Sequence, residues 1–198
     1  MTKVVGITGG IGSGKTTLSK YLKEKGFLVH ESDKIVSNMY KNPSKSFMIF
    51  LNKNVSKELV KNNIINKKKI AEIIFNNDDI KKKLEKYIHK EVKIFRKKFI
   101  EQNSNIDNRV IFLDIPLLLE NKLEKKFDII VCVVSKKKIR TERVLKRKKF
   151  AKEVLNKIFK SQTSDKVRKA KSQIIIKNNQ TKKDFIFSIK KALTKILK

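Results

Sequence analysis

Residues 4–22 read VVGITGGIGSGKTTLSKYL: an apolar run, then four glycines within six positions, then a lysine and two threonines. The whole chain has only six glycines, so this concentration answers a local need. Gly9 to Thr16 match G-x-x-x-x-G-K-[ST], with strand-like sequence before the loop and helix-like sequence after it. Glycine leaves bare backbone that phosphate oxygens can approach. Successive N–H groups at the positive end of the helix then form an anion cradle. Gly10, Ile11, Gly12, Ser13, Gly14, Lys15, Thr16 and Thr17 are the predicted nucleotide contacts. Lys15 would reach the β- and γ-phosphates, and the Thr16 hydroxyl would hold Mg²⁺. A merely tight turn would need one or two glycines, not four.

The rest of the chain is read from that loop outwards. KVVGIT, residues 3–8, predicts a buried strand, and residues 15–25 a helix ended by Gly26. FLVHES predicts a second strand leading to Asp33, and Ile35, Val36, Met39 and Tyr40 share a helix face before Asn42-Pro43 breaks it. From 44 to about 104 the pattern reads as helical throughout, with Ile80, Leu84, Ile88, Val92, Phe95 and Phe99 forming one apolar stripe. QNSNIDN reads as a loop. RVIFLDIP and FDIIVCVV are continuous apolar runs that suit strands buried on both faces of a parallel sheet. A basic helical segment spans 136 to about 170, QIIIKN is a last strand, and Thr181 to Asp184 resembles a capping box before a final helix. Alternating strands and helices give an α/β fold with a mostly parallel sheet.

Composition narrows the class. The chain has 198 residues, 39% of them hydrophobic, enough for one domain with a real core and an inserted lobe. No apolar run approaches the roughly 20 residues of a membrane span. The N-terminus lacks a signal-peptide pattern, so the protein is expected to be soluble and cytoplasmic. A single cysteine, Cys132, allows no internal disulfide and no cysteine-based zinc site. Fifty Lys+Arg against nineteen Asp+Glu give a net charge of +31, which attracts polyanions. Two readings stay open here: lysine bias spread over exposed faces, or a surface for nucleic acid. The Phe residues mostly fall at helical core spacing rather than between basic residues.

Three further features bear on the chemistry. Asp114 ends the strand VIFLD, where a phosphate-loop enzyme places its metal-side carboxylate, and Ile115 and Pro116 follow where an acid could have activated water. That favours transfer to an acceptor over a motor-type ATPase; the alternative is a strand-end residue capping a turn. Asp33 follows the second strand, whose carboxyl end opens into the loop's crevice in a parallel sheet. It either orients an attacking hydroxyl or caps the next helix. Arg140, Arg143 and Arg147 share a helix face, and such a helix can close over ATP or form a solvated basic face.

The segments ITGGIGSGKTT, ESDKIV, YIHKEV, DIPLLLEN and RVLKR with KSQ together resemble the dephospho-CoA kinase family, in order, over nearly the whole chain. The resemblance implies a P-loop kinase core with a five-stranded parallel sheet flanked by helices, an inserted helical substrate lobe and a lid. The core would comprise 1–40 and 105–198, the acceptor-side lobe about 41–104, and the lid about 140–170. It implies Mg²⁺-assisted transfer of the ATP γ-phosphate to the ribose 3′-hydroxyl of dephospho-CoA. Asp33, Lys15 and Arg147 would be catalytic, with Arg143, Arg147 and Asn178 on ATP. Asp33, His89, Pro116, Leu117, Leu118 and Glu120 would meet the acceptor, and Thr16 and Asp114 the metal. No specific nucleic-acid partner is expected. Lys90, Lys148 and Lys177 depart from the family pattern, which has a proline, an acid and an aspartate there. The alternatives are a kinase for another small hydroxyl or nucleoside monophosphate, or a nucleic-acid-binding P-loop ATPase.

Overall fold

The computed structural model describes residues 2–61, 64–104, 109–147 and 151–198. Lys148, and with it 149–150 of the expected lid, lies outside the described residues, as does 105–108 of the expected loop. In chain order the elements are β1 (Lys3–Thr8), α1 (Lys15–Glu24), β2 (Leu28–Glu31), α2 (Ser32–Lys41) and α3 (Lys45–Asn54). Next come β3 (Val60–Lys61), β4 (Ile64–Ile65), α4 (Lys67–Asn76), α5 (Asp78–Asn103) and β5 (Val110–Asp114). The chain closes with β6 (Ile129–Val134), α6 (Lys137–Lys146), α7 (Lys152–Ser161), α8 (Asp165–Ala170), β7 (Ile174–Lys177) and α9 (Lys182–Leu197). Two compact units result: Met1–Glu31 with Gln102–Lys198, and Ser32–Glu101.

In the first unit five strands form a parallel sheet in the order β2-β5-β1-β6-β7. The continuous apolar runs behave as expected of strands covered on both faces: all five residues of β5 are buried, and five of six in β6. On one face Val5, Ile7, Phe112 and Val131 pack with Leu18 and Leu22 of α1 and with Phe185 and Ile189 of α9. Each such side chain, fully buried, stabilises the fold by about 1.5–3 kcal/mol. Cys132 is fully buried in β6, and that burial pushes its thiol up to about 11, so it is a packing residue and not a nucleophile. Because all five strands run the same way, Thr8, Glu31, Asp114, Val134 and Lys177 end on one rim of the sheet. Ligands of such sheets bind outside that rim.

The second unit is mostly helical. Ser44 caps α3 by accepting the Phe47 N–H at 3.2 Å, and Asn66 caps α4 by accepting the Lys69 N–H at 3.0 Å. Its core centres on Phe47, which meets Tyr40 edge-on at 5.3 Å and stacks on Tyr87 at 5.5 Å. One expectation is corrected here: the stretch 44–104 is not helical throughout, because β3 and β4 pair antiparallel within it. Leu59 and Ile65 are buried while Ile64 is 72% exposed, an in–out pattern too short to stand out between helices. The predicted stripe of α5 also changes character along its length. Leu84 is buried, whereas Phe95 is 44% exposed.

Candidate active site

The glycine loop joins the centre strand β1 to α1. Gly14 occupies the N-cap of α1 with φ 113°, a left-handed conformation that strains any residue with a Cβ. No side chain caps this helix, so no polar side chain competes with an anion at its N-terminus. Lys15 folds back so that its ammonium donates to the Gly9 carbonyl at 2.7 Å.

Asn178 fixes the loop from the far side of the sheet rim. It is buried just beyond β7, and its amide nitrogen donates to the Ser13 carbonyl at 2.8 Å. Its side-chain oxygen accepts from Arg143 at 3.1 Å, and Arg143 also donates to the Asn178 carbonyl at 3.2 Å. The Ser135 hydroxyl donates to that same carbonyl at 2.7 Å. Burial lowers the pKa of the Arg143 guanidinium, and the charge of Arg147 lowers it further. Two guanidinium groups that disfavour each other in this way are relieved by a bound polyanion.

These groups surround one cavity of about 520 Å³, within the range of small-molecule sites. Gly12, Gly14, Thr16 and Thr17 line it from the loop, and Arg143, Arg147 and Asn178 from residues far along the chain. Seven of the predicted ATP contacts therefore meet at one place. The sequence reading missed Tyr21, Phe185 and Ile186, which add apolar walls. The capping box offered a signal for two of them, because it starts α9 at Lys182 and puts Phe185 in the first turn.

Asp114 is buried at the end of β5, and one of its oxygens accepts from the Ser19 hydroxyl of α1 at 2.9 Å. Among the described residues no group of three acidic, histidine or cysteine side chains converges on a metal position. A divalent ion carried mainly by phosphate oxygens and water needs only one or two protein ligands. Thr16, exposed at the head of α1, and Asp114 fit that need.

The segment after β5 shows its residues in different settings. Pro116 is half-buried and Leu117 is 40% exposed, whereas Leu118 is fully buried. A Cβ on Gly6 would come within 2.8 Å of Leu118, so this leucine packs on the sheet rather than facing solvent. Glu120 accepts from the Thr163 N–H at 2.8 Å and from Arg168 at 3.0 Å through the same oxygen. Burial raises its pKa, but these donors outweigh that and hold the carboxyl below the usual glutamate range. In the second unit, Asp33 is exposed in the first turn of α2 and His89 is exposed on α5. Lys90, beside it, is exposed too, and Lys177 is exposed at the end of β7.

Comparison with known proteins bears on this arrangement. The family model for dephospho-CoA kinase matches residues 3–184. A dephospho-CoA kinase from Fusobacterium nucleatum is 37% identical over 188 residues, covering 95% of each chain. Among solved structures, a dephospho-CoA kinase from Campylobacter jejuni superposes with a TM-score of 0.71 at 27% identity, covering 99% of this chain and 98% of that one. A crystal structure from Thermus thermophilus superposes with a TM-score of 0.77 at 25% identity, covering 98% and 97%.

Proposed function

The chain belongs to the dephospho-CoA kinase family, and from that premise we propose how its residues divide the work. The reaction is transfer of the ATP γ-phosphate to the ribose 3′-hydroxyl of dephospho-CoA, giving CoA and ADP, the last step of CoA synthesis. The single observation that carries the donor half is the convergence of the glycine loop with Arg143, Arg147 and Asn178 around one cavity. Residues Gly10 to Thr17 cradle the phosphates. Lys15 leaves the Gly9 carbonyl for the β- and γ-phosphates, and Arg147 balances the transferring charge. Asn178 acts by holding Ser13 and Arg143 in place. Magnesium, held by Thr16 and Asp114, would draw charge from the phosphate oxygens. Asp33 accepts the proton of the 3′-hydroxyl and orients its oxygen for in-line attack. His89, Pro116 and Leu117 contact the acceptor, while Leu118 and Glu120 support that segment from behind. ATP and dephospho-CoA are the partners. No described helix is long and apolar enough to cross a membrane.

The test is ADP release from ATP with dephospho-CoA, AMP, CMP or nucleic acid added in turn. Dephospho-CoA alone should drive turnover. Equal use of AMP would replace the acceptor assignment, and stimulation only by nucleic acid would remove the kinase reading. Lys15→Ala should abolish turnover in a folded protein. Asp33→Asn should keep ATP binding while losing on the order of 100-fold or more in kcat, in the range of general-base catalysis; a rate within a few-fold of the parent would leave Asp33 a helix residue only.

A further inference from the structure

Three segments far apart in sequence are tied together at the loop by residues that do not line the ATP cavity. The Ile11 N–H, at the loop's tip, donates to the side-chain oxygen of Gln162 at 3.1 Å. The next residue, Thr163, donates its N–H to Glu120 of the acceptor-side segment at 2.8 Å. Arg168, whose side chain is 1% exposed, donates to that same Glu120 oxygen at 3.0 Å and to Asp165 at 3.1 Å. Asp165 also pairs with Arg140 at 3.4 Å. Arg140 lies against the loop itself, since a Cβ on Gly10 would sit 1.9 Å from its guanidinium nitrogen. The connection between α7 and α8 thus grips the loop tip with one residue and the post-β5 segment with the next.

The charges show what the cluster is for. Two guanidinium groups face two carboxylates, so the four-group cluster is neutral and offers an added anion little net attraction. What it supplies is fixed geometry, because Arg168 presents a rigid fork to both carboxylates.

We propose that Gln162 and Arg168 are positioning residues that brace the phosphate loop against the acceptor segment and so set the donor-to-acceptor distance. This rests on the loop carrying ATP and on Pro116 and Leu117 of the post-β5 segment meeting the acceptor. Neither residue lines the ATP cavity. Loss of the brace therefore leaves nucleotide affinity in place and misaligns the reacting groups, for which a misplacement of about 1 Å lowers the rate by about 100-fold.

The experiment is steady-state kinetics of the full chain with both substrates, together with thermal melting. Gln162→Ala should lower kcat by about 10- to 100-fold with both KM values within about threefold of the parent. Gln162→Glu, which keeps an acceptor oxygen for the Ile11 N–H, should recover most of the loss. Arg168→Lys should fall between the parent and Arg168→Met; if Arg168→Met does not fold, the Gln162 pair still decides. A kcat within twofold of the parent in Gln162→Ala would overturn the brace, as would a loss confined to the KM for ATP, or Gln162→Glu falling as far as Gln162→Ala. A parent without dephospho-CoA turnover would instead remove the reading on which the brace rests.

Discussion

Gly14 is a residue at which one added methyl group meets both a strained backbone and a buried partner. Its φ of 113° strains an alanine, and the new Cβ would lie 2.3 Å from the Asn178 amide nitrogen. Backbone strain of this kind costs about 1–2 kcal/mol, and the displaced Asn178 releases both Ser13 and Arg143. Gly14→Ala should therefore lower the melting temperature by at least about 2–4 °C and weaken ATP binding in a calorimetric titration. Gly26 makes the control. Its φ is 80°, but a Cβ there meets nothing within 4 Å, so Gly26→Ala should shift melting without touching ATP affinity. Equal losses of ATP affinity in both variants would mean that Asn178 does not hold the loop.

At the scale of elements, α9 joins stability to the nucleotide site. Thr181 accepts the Asp184 N–H at 3.3 Å, and Asp184 accepts the Thr181 N–H at 3.2 Å, completing a capping box. The first turn it starts carries Phe185, a wall of the cavity beside the glycine loop. Thr181→Ala should cost about 1 kcal/mol and raise the KM for ATP while leaving that for dephospho-CoA unchanged; equal rises in both would separate the cap from the cavity. This element was legible because capping residues and a one-faced apolar pattern lie within one short window. The loop and the sheet strands were legible because the glycine motif and the continuous apolar runs are each complete within one short window. The hairpin β3–β4 was not, since two-residue strands leave no period to detect. Nor was the role of Gln162, whose partner Ile11 lies 151 positions away with no local sequence signal. The three helices α6, α7 and α8 read as one basic segment, because lysines run through the first break between them and the second is only three residues long, 162–164.

For the whole molecule the dominant quantity is charge. A net +31 on 198 residues is self-repulsive, and repulsion weakens the compact state. Exposed pairs such as Lys20–Glu24 and Lys97–Glu101 offset little of it. Raising salt from about 0.01 M to about 0.15 M shortens the screening length from about 30 to about 8 Å. The melting temperature should therefore rise over that interval, and any retention on nucleic acid should collapse over the same interval. A melting temperature that falls with salt would show that attractive pairs outweigh the repulsion.

The strand order carries a consequence for how the chain comes into being. β1 pairs with no strand near it in sequence: Lys3 waits for Val110, and Ser13 waits for Asn178, 165 positions later. The second unit is one continuous stretch, Ser32–Glu101, and has all its own material before β5 is made. Chains are synthesised at about 5–20 residues per second, so the glycine loop emerges about 10–30 s before the asparagine that fixes it. The glycine loop thus leaves the ribosome well before the asparagine that fixes it, and a growing chain holds no complete nucleotide site until β7 has docked.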